Sequence, residues 1–377
     1  MLLKKSSKNR KIKICFMLHC TYPLFNPNCK GVFGGAEVNF YYIARQLSKK
    51  GLYDIEFYVG DYGQKDEEIY DGIVVKKIKY TNLEKYNTIF YKILKGLYLK
   101  KILLTNKSDV IINSTSGVLI GWIVFYAKFI RRKKVIFRIS SDSNIDMEYA
   151  RKKGLKFYML YRLGLFNCDA IVSQTEKQKS ELKVKLGLES TLIKNGFAID
   201  ENIDISKKKH ILWVSRAVDM KRPELFIRLA KECPEEEFVI IIPGDAPVKD
   251  RAKEEASKLK NVKFLDYVEF FKIQRYFDEA KLFVNTSEFE GFPNSFIQAC
   301  IGKTPILSFN VNPDGFITKN NIGFCCNDDF DSALRFIKGL NAEKIKYYGD
   351  NAIKYIKENH DIEITASKYE ELIQKIV

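Results

Sequence analysis

The segment from Leu282 to Ser308, LFVNTSEFEGFPNSFIQACIGKTPILS, constrains the fold more than any other part of the chain. An apolar run, a polar turn around Glu290, a Gly-Phe-Pro sequence and an apolar-periodic stretch that ends at Gly302 predict strand, loop, helix and strand. In open parallel sheets, ligands bind where such strands end. The segment therefore predicts a ligand site at the end of a strand.

The start of the predicted helix is a candidate anion site. The amides around Pro293, Asn294 and Ser295 would be the unpaired donors of a helix N-terminus, which favour an anion. Glu290 precedes this site and could hydrogen-bond a hydroxylated group attached to a phosphate. Gln298 follows on the helix and could reach a second polar part of the same ligand. The pattern favours a phosphate with hydroxyl groups on either side.

The sequence SEFEGFPNSFIQA resembles the donor-site signature of family 4 glycosyltransferases, retaining enzymes of the two-domain GT-B fold. In that signature the first of two glutamates contacts the donor sugar, and the second contacts the ribose of the nucleotide. Glu290 matches the first. Gln298 stands at the second position, where it keeps an acceptor oxygen and lacks the charge. The donor-binding residues expected in this segment are Gly291, Phe292, Pro293, Asn294, Ser295 and Gln298.

A glycine loop near the N-terminus is a second candidate for donor binding. Ile12–Leu18 predicts a buried strand, and the helical pattern after Gly34 and Gly35 stops at Gly51. Glycines have no Cβ, so backbone amides here could approach a diphosphate closely. The pattern GVFGGAE alone fits a flexible turn equally well, because it is not the dinucleotide fingerprint. The resemblance assigns Gly34 and Gly35 to the donor phosphates.

Two cations follow the strand predicted at Ile211–Val214. Arg216 ends this strand and Lys221 comes five residues later. A lone arginine and lysine at this spacing are usually solvated surface residues. Family 4 enzymes carry both at this place, where they bind the donor diphosphate, and two cations can neutralise a diphosphate without a metal. The resemblance also places Gly244 against the nucleoside.

Strands and helices alternate along the chain, which predicts the α/β class with mostly parallel sheets. A polar, turn-like segment places a domain boundary near residue 206. The resemblance implies two Rossmann-like domains that face each other across a cleft. Residues 1–206 form the acceptor side, residues 207–360 bind the nucleotide sugar, and the C-terminal helix 361–377 crosses back to the first domain. Other strands predicted in the first domain are Ile55–Val59, Ile73–Ile78, Val110–Asn113, Val135–Ile139 and Ala170–Ser173.

The charge of the chain is divided unequally. Residues 1–206 contain 36 Lys+Arg and 20 Asp+Glu, whereas residues 207–377 contain 27 of each, so the first part carries all of the net +16. Three segments between Lys85 and Arg162 mix Lys or Arg with Phe, Tyr, Leu and Ile. They fit a surface that meets anionic lipid. Amphipathic helices packed on a sheet, with a solvated basic face, fit equally well.

Other features concern the location of the protein. Eight cysteines show no paired metal-ligand spacing, which favours a reduced cytosolic protein over a disulfide framework. The longest apolar run, Val118–Ala127, is shorter than the roughly twenty residues that a membrane-spanning helix needs. The N-terminal segment fits a first strand better than a signal peptide. We expect a cytoplasmic protein that is either free or attached peripherally to the inner face of the membrane.

The acceptor side gives a weaker signal. The loop SSDSNID follows the strand Val135–Ile139, at a point where related enzymes often place a histidine or an acidic residue. Asp142 is therefore an acceptor-side candidate. A turn-forming cluster of Asp and Ser explains the same residues.

Together these features predict a metal-independent, retaining glycosyltransferase that takes a UDP- or GDP-sugar and a glycan or lipid-linked acceptor. Glu290, Arg216 and Lys221 are the candidate catalytic residues, and no cofactor or metal is expected. The single Asp-x-Asp sequence, at Asp329, fits a helix cap better than a metal site. Three alternatives remain open at this level: a sugar-nucleotide epimerase of the same fold, a nucleic-acid-binding protein, and an inactive scaffold at a membrane surface.

Overall fold

The computed structural model describes residues 10–82, 88–114, 117–199 and 203–377. In these ranges the chain forms two open sheets with helices on their faces, as the α/β class requires. The first sheet contains β1 (Ile12–Met17), β2 (Tyr53–Val59), β3 (Glu67–Tyr70), β4 (Ile73–Lys77), β5 (Val110–Asn113), β6 (Lys134–Arg138), β7 (Ala170–Ser173) and β8 (Thr191–Leu192). The second contains β9 (His210–Val214), β10 (Phe238–Ile241), β11 (Val262–Leu265), β12 (Ala280–Asn285), β13 (Ile306–Ser308) and β14 (Gly323–Cys325).

Helices connect most of these strands. In the first part of the chain they are α1 (Tyr22–Phe25), α2 (Gly35–Lys49), α3 (Ile89–Thr105), α4 (Val118–Trp122), α5 (Met147–Lys152), α6 (Leu155–Asn167) and α7 (Glu176–Leu186). In the second part they are α8 (Pro223–Glu232), α9 (Pro247–Ser257), α10 (Phe270–Asp278), α11 (Asn294–Ile301), α12 (Phe316–Lys319), α13 (Phe330–Lys338), α14 (Ala342–Asn359) and α15 (Ile362–Ile376). Asp329 caps α13 through its side chain, as its sequence context predicts.

The strand order shows how each sheet is built. It is β3-β4-β2-β1-β5-β6-β7-β8 in the first sheet and β11-β10-β9-β12-β13-β14 in the second. All pairs are parallel except β3 with β4. Alternate residues of one strand enter different apolar clusters: Ile14 packs on one face of β1 and Cys15 on the other. Helices therefore cover both faces, which explains why the strands are continuously apolar.

Sequence patterns locate the buried strands well and the edge strands poorly. Val110–Asn113 and Ala170–Ser173 have the predicted bounds, and the other predicted strands differ by one or two residues at one or both ends. The short edge strands β3 and β8 were not predicted. Both are partly exposed and carry polar residues, so they lack the apolar run that marks a buried strand.

The longest apolar run forms α4 and the π-helix Ile123–Ile130 that continues it. A Cβ on Gly121 would lie within 2.2 Å of the carbonyl oxygen of Leu160, and one on Gly164 within 2.7 Å of Ile120. The run is apolar because α4 packs closely against α6. Among the helices of the described residues, none combines the length and the apolar content that a membrane crossing requires.

The chain passes between the two sheets twice, and the two passages touch. Phe197 pairs with Asp361 in an isolated bridge, and the Nδ1 atom of His360 lies 2.7 Å from the carbonyl oxygen of Asn195. After this point α15 packs against α2 of the first domain. Glu370 on α15 accepts a hydrogen bond of 2.9 Å from the hydroxyl of Tyr53. The C-terminal helix therefore packs on elements of the first sheet and its helices.

Candidate active site

The predicted residues of the second domain lie at the point where its strand order reverses. β9 and β12 are neighbours, and the chain leaves them towards opposite edges of the sheet. Such a point leaves a crevice at the carboxyl ends of the strands, where ligands bind in open α/β sheets. Arg216 follows β9 and Glu290 follows β12. The two segments, which are distant in sequence, therefore share one crevice.

Glu290 is held at both carboxylate oxygens. The Nζ atom of Lys221 lies 2.8 Å from Oε2, and the side-chain amide of Asn285 donates a 3.0 Å hydrogen bond to Oε1. Lys221 is itself only 8% exposed. An ion pair that is shielded from water and supported by a further hydrogen bond fixes both side chains in one geometry. Asn285 was not predicted as a site residue, although its place at the end of β12 is a signal for one.

Lys221 is positioned by a second short set of bonds. Trp213 on β9 donates through its indole N–H to the hydroxyl of Thr286, 2.8 Å away, and that hydroxyl donates to the carbonyl oxygen of Lys221, 2.5 Å away. The lysine ends a single 3-10 turn, Asp219–Lys221. The carboxyl end of β9 and the segment after β12 thus clamp this turn, which directs the ammonium group to Glu290.

Arg216 differs from Lys221 because it is exposed and forms no ion pair within the part of the chain that the structure describes. Burial raises the pKa of the Cys20 thiol, and the positive charge of Arg216 partly opposes the rise. Cys20 follows β1 of the first domain. Arg216 therefore lies near the end of β1, with its charge available to an anion.

The N-terminus of α11 faces that of α2 across the cleft. Asn294 is the first residue of α11, and its side-chain amide donates a 3.0 Å hydrogen bond to the carbonyl oxygen of Gly35, the first residue of α2. A Cβ on Gly35 would lie 3.0 Å from this amide nitrogen, so a glycine allows the approach. Pro293 stands at the N-cap position, and no side chain of the described residues caps this helix, which leaves amides of the first turn, including that of Ser295, available to an anion.

The two loop glycines have different roles in the structure. The N–H of Gly34 donates a 3.0 Å hydrogen bond to the carboxylate of Glu37, as in a capping box. This amide is therefore already bonded, whereas we expected both glycines to offer amides to a phosphate. Gly35 begins the helix and lies at the cleft beside Asn294.

Gly291 and Asp142 lie on opposite sides of a close contact between the domains. A Cβ on Gly291 would lie 3.0 Å from the side-chain amide of Gln178 and 3.1 Å from the carbonyl oxygen of Ser140. The same Gln178 amide donates to Asp142 at 3.1 Å, and Lys177 forms an ion pair with Asp142 at 2.8 Å. The carboxylate of Asp142 is thus near the cleft and is engaged by two side chains of α7.

Three other predicted donor residues have distinct surroundings. Gly244 has a φ of +92°, a conformation that favours glycine, and a Cβ there would lie 3.4 Å from Val32 of the first domain. Gln298 is 9% exposed on α11. Phe292 packs its ring 4.7 Å from that of His360 and 5.1 Å from that of Phe316. Its side chain therefore belongs to the apolar core at the passage between the domains, not to the crevice.

Two family models match adjoining parts of the chain. The model for Glycosyltransferase Family 4 matches residues 33–201, and the model for glycosyl transferases group 1 matches residues 197–370. The first range covers most of the first sheet and the second covers the whole second sheet. Each sheet with its helices thus corresponds to one model.

Curated relatives are similar over most of this chain. A poly(ribitol-phosphate) alpha-N-acetylglucosaminyltransferase of Staphylococcus aureus is 26% identical over 290 residues, which cover 72% of this chain and 56% of that protein. The chain thus spans about half the length of that relative. An uncharacterized glycosyltransferase of Methanocaldococcus jannaschii is 22% identical over 383 residues, with 91% of this chain and 95% of that protein covered.

The fold resembles that of solved glycosyltransferases. The structure of sucrose-phosphate synthase from Thermosynechococcus elongatus superimposes with a TM-score of 0.78 at 15% identity, covering 97% of this chain and 99% of that one. This confirms the expected GT-B fold. Because the two family models together match residues 33–370 on this fold, the chain belongs to the group 1 and family 4 glycosyltransferases.

Proposed function

We propose that the protein is a hexosyltransferase that moves a sugar from a UDP- or GDP-sugar to a glycan or lipid-linked acceptor with retention. The observation that carries the proposal is the arrangement of Lys221, Glu290 and Arg216 at the strand reversal of the second sheet. The loop that carries Glu290 leads directly into α11, whose N-terminus contacts that of α2 through Asn294. A nucleoside diphosphate fits there because the cations and helix amides meet its phosphates while the carboxylate meets sugar hydroxyls.

The same groups would stabilise the leaving group. Departure of the nucleoside diphosphate develops negative charge on its terminal phosphate. Lys221 and the first-turn amides of α11 are fixed before the reaction, so they would stabilise this charge without reorganising, and Arg216 would add an unpaired positive charge. We propose that this set acts without a metal ion.

Glu290 would orient the donor sugar. Its carboxylate is already held by Lys221 and Asn285, so it can accept hydrogen bonds from sugar hydroxyls in a defined direction. We propose attack by the acceptor hydroxyl on the face that the diphosphate leaves. The new C–O bond then forms as the old one breaks, and the leaving phosphate takes the proton of the acceptor. This course gives retention without a covalent sugar–enzyme intermediate.

The names of two relatives support an anionic polymer as acceptor. The S. aureus relative is named for poly(ribitol-phosphate), and a Bacillus subtilis relative, 29% identical over 159 residues, for poly(glycerol-phosphate). The positive charge of residues 1–206 fits such an acceptor. We therefore propose a role in the synthesis of a bacterial surface polysaccharide or glycoconjugate.

We further propose that the first domain binds an anionic membrane surface on the cytoplasmic side. The π-helix packs against both α3 and α6, and we call the exposed apolar side chains of these three neighbouring helices the apolar face. Exposed lysines and arginines, such as Lys92 and Arg162, lie among them. The start of the predicted basic region, residues 85–87, is outside the described residues. The apolar face comprises Ile89, Phe90, Ile93, Leu97, Phe125, Phe129, Leu155 and Met159.

A thermal-shift screen of UDP, GDP and their sugars tests the donor assignment, because a ligand that binds only the native state raises its melting temperature. We expect one nucleotide series to stabilise the parent protein and to lose this effect in Arg216→Ala. Arg335→Ala is the matched control. Arg335 is exposed on α13, and its replacement by alanine removes the same charge. Stabilisation that survives Arg216→Ala, or no stabilisation by any nucleotide, would contradict the proposed donor site.

The acceptor requirement is tested separately. For a transferase, the release of nucleoside diphosphate from the stabilising nucleotide sugar should increase when a polyol-phosphate polymer is added. An epimerase of the same fold would convert the sugar nucleotide without any acceptor.

A further inference from the structure

Arg138, at the end of β6, is a buried cation without a carboxylate partner. It is 1% exposed, and it forms no ion pair within the ranges that the structure describes. Its guanidinium donates to the side-chain oxygen of Asn195 and, over 3.4 Å, to the hydroxyl of Ser114, while its Nε atom has no partner there. Burial lowers its pKa. Because a buried unpaired charge is costly, this residue requires an explanation beyond packing.

The bonds of Arg138 begin a chain that runs into the cleft. The side-chain nitrogen of Asn195 donates to the side-chain oxygen of Asn294 at 2.9 Å. The side-chain nitrogen of Asn294 donates to the carbonyl oxygen of Gly35 at 3.0 Å. The chain therefore links the first sheet, the passage between the domains, and the N-termini of α11 and α2. We call Arg138, Asn195, Asn294 and Gly35 the amide relay.

The direction of every bond in the amide relay is set by Arg138. A guanidinium can only donate, so the oxygen of the Asn195 amide must face it, and the nitrogen of that amide must face Asn294. Asn294 then accepts with its oxygen, and its nitrogen is left for the carbonyl of Gly35, which can only accept. A neutral acceptor in place of Arg138 would not impose this orientation.

We propose that Arg138 and Asn195 are positioning residues for the donor site: through the amide relay they orient Asn294 and hold the N-termini of α2 and α11 together. They act on the nucleotide without touching it, because Asn294 and Gly35 stand between them and the crevice. Asn195 also lies at the passage between the domains, where its carbonyl oxygen contacts His360. The inference rests on the proposed nucleotide site and adds residues that determine its shape.

Asn195→Asp separates this role from a purely structural one. The new carboxylate accepts from Arg138 and supplies its missing counter-charge, so the ligand-free melting temperature should stay the same or rise. It has no N–H for Asn294, however, whose amide then reverses and faces Gly35 with its oxygen. We expect UDP to bind about fivefold more weakly, the order of one lost hydrogen bond, as measured by calorimetry. Hydrogen exchange of residues 35–38 and 294–297 should become faster.

Ser114→Ala is the matched control in the same pocket. Its hydroxyl lies 3.2 Å from the carbonyl oxygen of Arg138 and 3.4 Å from the guanidinium, and both bonds are long. Because Ser114 takes no part in the amide relay, UDP affinity should stay within about twofold of the parent value. If Asn195→Asp fails to fold, the double variant Arg138→Met with Asn195→Leu removes the charge and the amide together. It should show the same weaker binding of UDP.

The two readouts distinguish failure of the relay from failure of the proposed function. Unchanged UDP affinity in a folded Asn195→Asp or double variant, when the parent binds UDP, overturns the relay. If the parent binds neither UDP nor GDP, the proposed donor site is wrong. In that case the exchange measurement still decides the relay, because the Asn294–Gly35 contact exists without a ligand. Unchanged exchange at both helix starts would then overturn it.

Discussion

The two domains use positive charge in opposite ways. In the second domain, Lys221 is buried and forms an ion pair with Glu290 at 2.8 Å. Positive and negative residues are equal in number over residues 207–377. In the first domain the excess lysines and arginines stand on exposed helices beside equally exposed apolar side chains, of which Ile89 is 74% exposed. A fixed, shielded cation suits one small anion, whereas a broad exposed set suits an extended anionic surface. The same residue types thus indicate two kinds of partner.

Lowering the pH should have the largest effect, a loss of folding stability. The histidines responsible lie in the two domains and at the passage between them. Burial lowers the pKa of His19 in the first domain and of His210 in the second to about 4, and that of His360 at the passage to about 3. Unfolded histidine titrates near pH 6.5, so the unfolded state binds more protons below that pH. Stability from each neutral histidine is therefore complete above pH 6.5 and is lost as the pH falls towards the folded pKa.

For His360 this loss should reach about 3 kcal/mol of unfolding free energy between pH 7 and pH 4. Its Nδ1 atom bonds the carbonyl oxygen of Asn195, and its Nε2 atom is buried without a partner among the described residues. Protonation of Nε2 therefore creates a buried positive charge and an N–H group without an acceptor there. Urea unfolding of the parent and of His360→Gln between pH 7 and pH 4 measures the effect. The variant should lose less stability over this range. An equal loss in both proteins would assign the acid sensitivity to the histidines inside the two domains.

Glu290→Gln should produce the largest effect on activity. The substitution keeps the shape of the side chain but removes the counter-charge of Lys221 and misorients the donor sugar, so we expect about a hundredfold lower turnover. Release of nucleoside diphosphate in the presence of acceptor is the measurement. Glu288→Gln is the control, because Glu288 is exposed two residues earlier. Equal losses in both variants would show that the loop, not the buried ion pair, is responsible.

The apolar face should decide membrane binding. Replacing Ile93 and Leu97 by glutamate adds two negative charges to exposed positions of α3 and removes two apolar contacts. We expect at least about tenfold weaker binding to phosphatidylglycerol vesicles, with an unchanged melting temperature. Val184→Glu, at a residue that is 80% exposed on α7, is the control. Equal affinity of the parent for phosphatidylglycerol and phosphatidylcholine vesicles would remove the contrast between the two domains.

Gln298→Glu should have the smallest effect. A carboxylate accepts a stronger hydrogen bond from a ribose hydroxyl than an amide does, but position 298 is only 9% exposed and its desolvation opposes the gain. We expect UDP to bind about threefold more tightly, which calorimetry can measure. Weaker binding would mean that Gln298 does not face the ribose.

Local patterns predicted the parts of the molecule that depend on nearby residues. The start of α11 at Asn294 and the cap of α13 at Asp329 both follow from residues within one or two turns. The buried strands were predicted for the same reason, because a strand covered on both faces must be continuously apolar. The resemblance added the GT-B fold and the order of the domains.

Long-range contacts were beyond such patterns. The bond from Asn285 to Glu290 spans a loop, and the pairing of Lys221 with Glu290 depends on β9 and β12 being neighbours. The packing of the Phe292 ring against His360, far along the chain, was also not predicted. Gly34 looked like a free phosphate donor, but its amide is bonded to Glu37.

The sequence by itself determined the α/β class, the resemblance to a glycosyltransferase family, the unequal charge of the two domains and the candidate residues of the proposed donor site. These properties are written in composition and in short-range order. The tertiary structure alone decided which cation pairs with Glu290, which remain exposed, and that a buried arginine directs the amides between two helix starts. Electrostatic interactions and hydrogen bonds depend on distance and direction in space, and these are fixed only when strands far apart in sequence become neighbours.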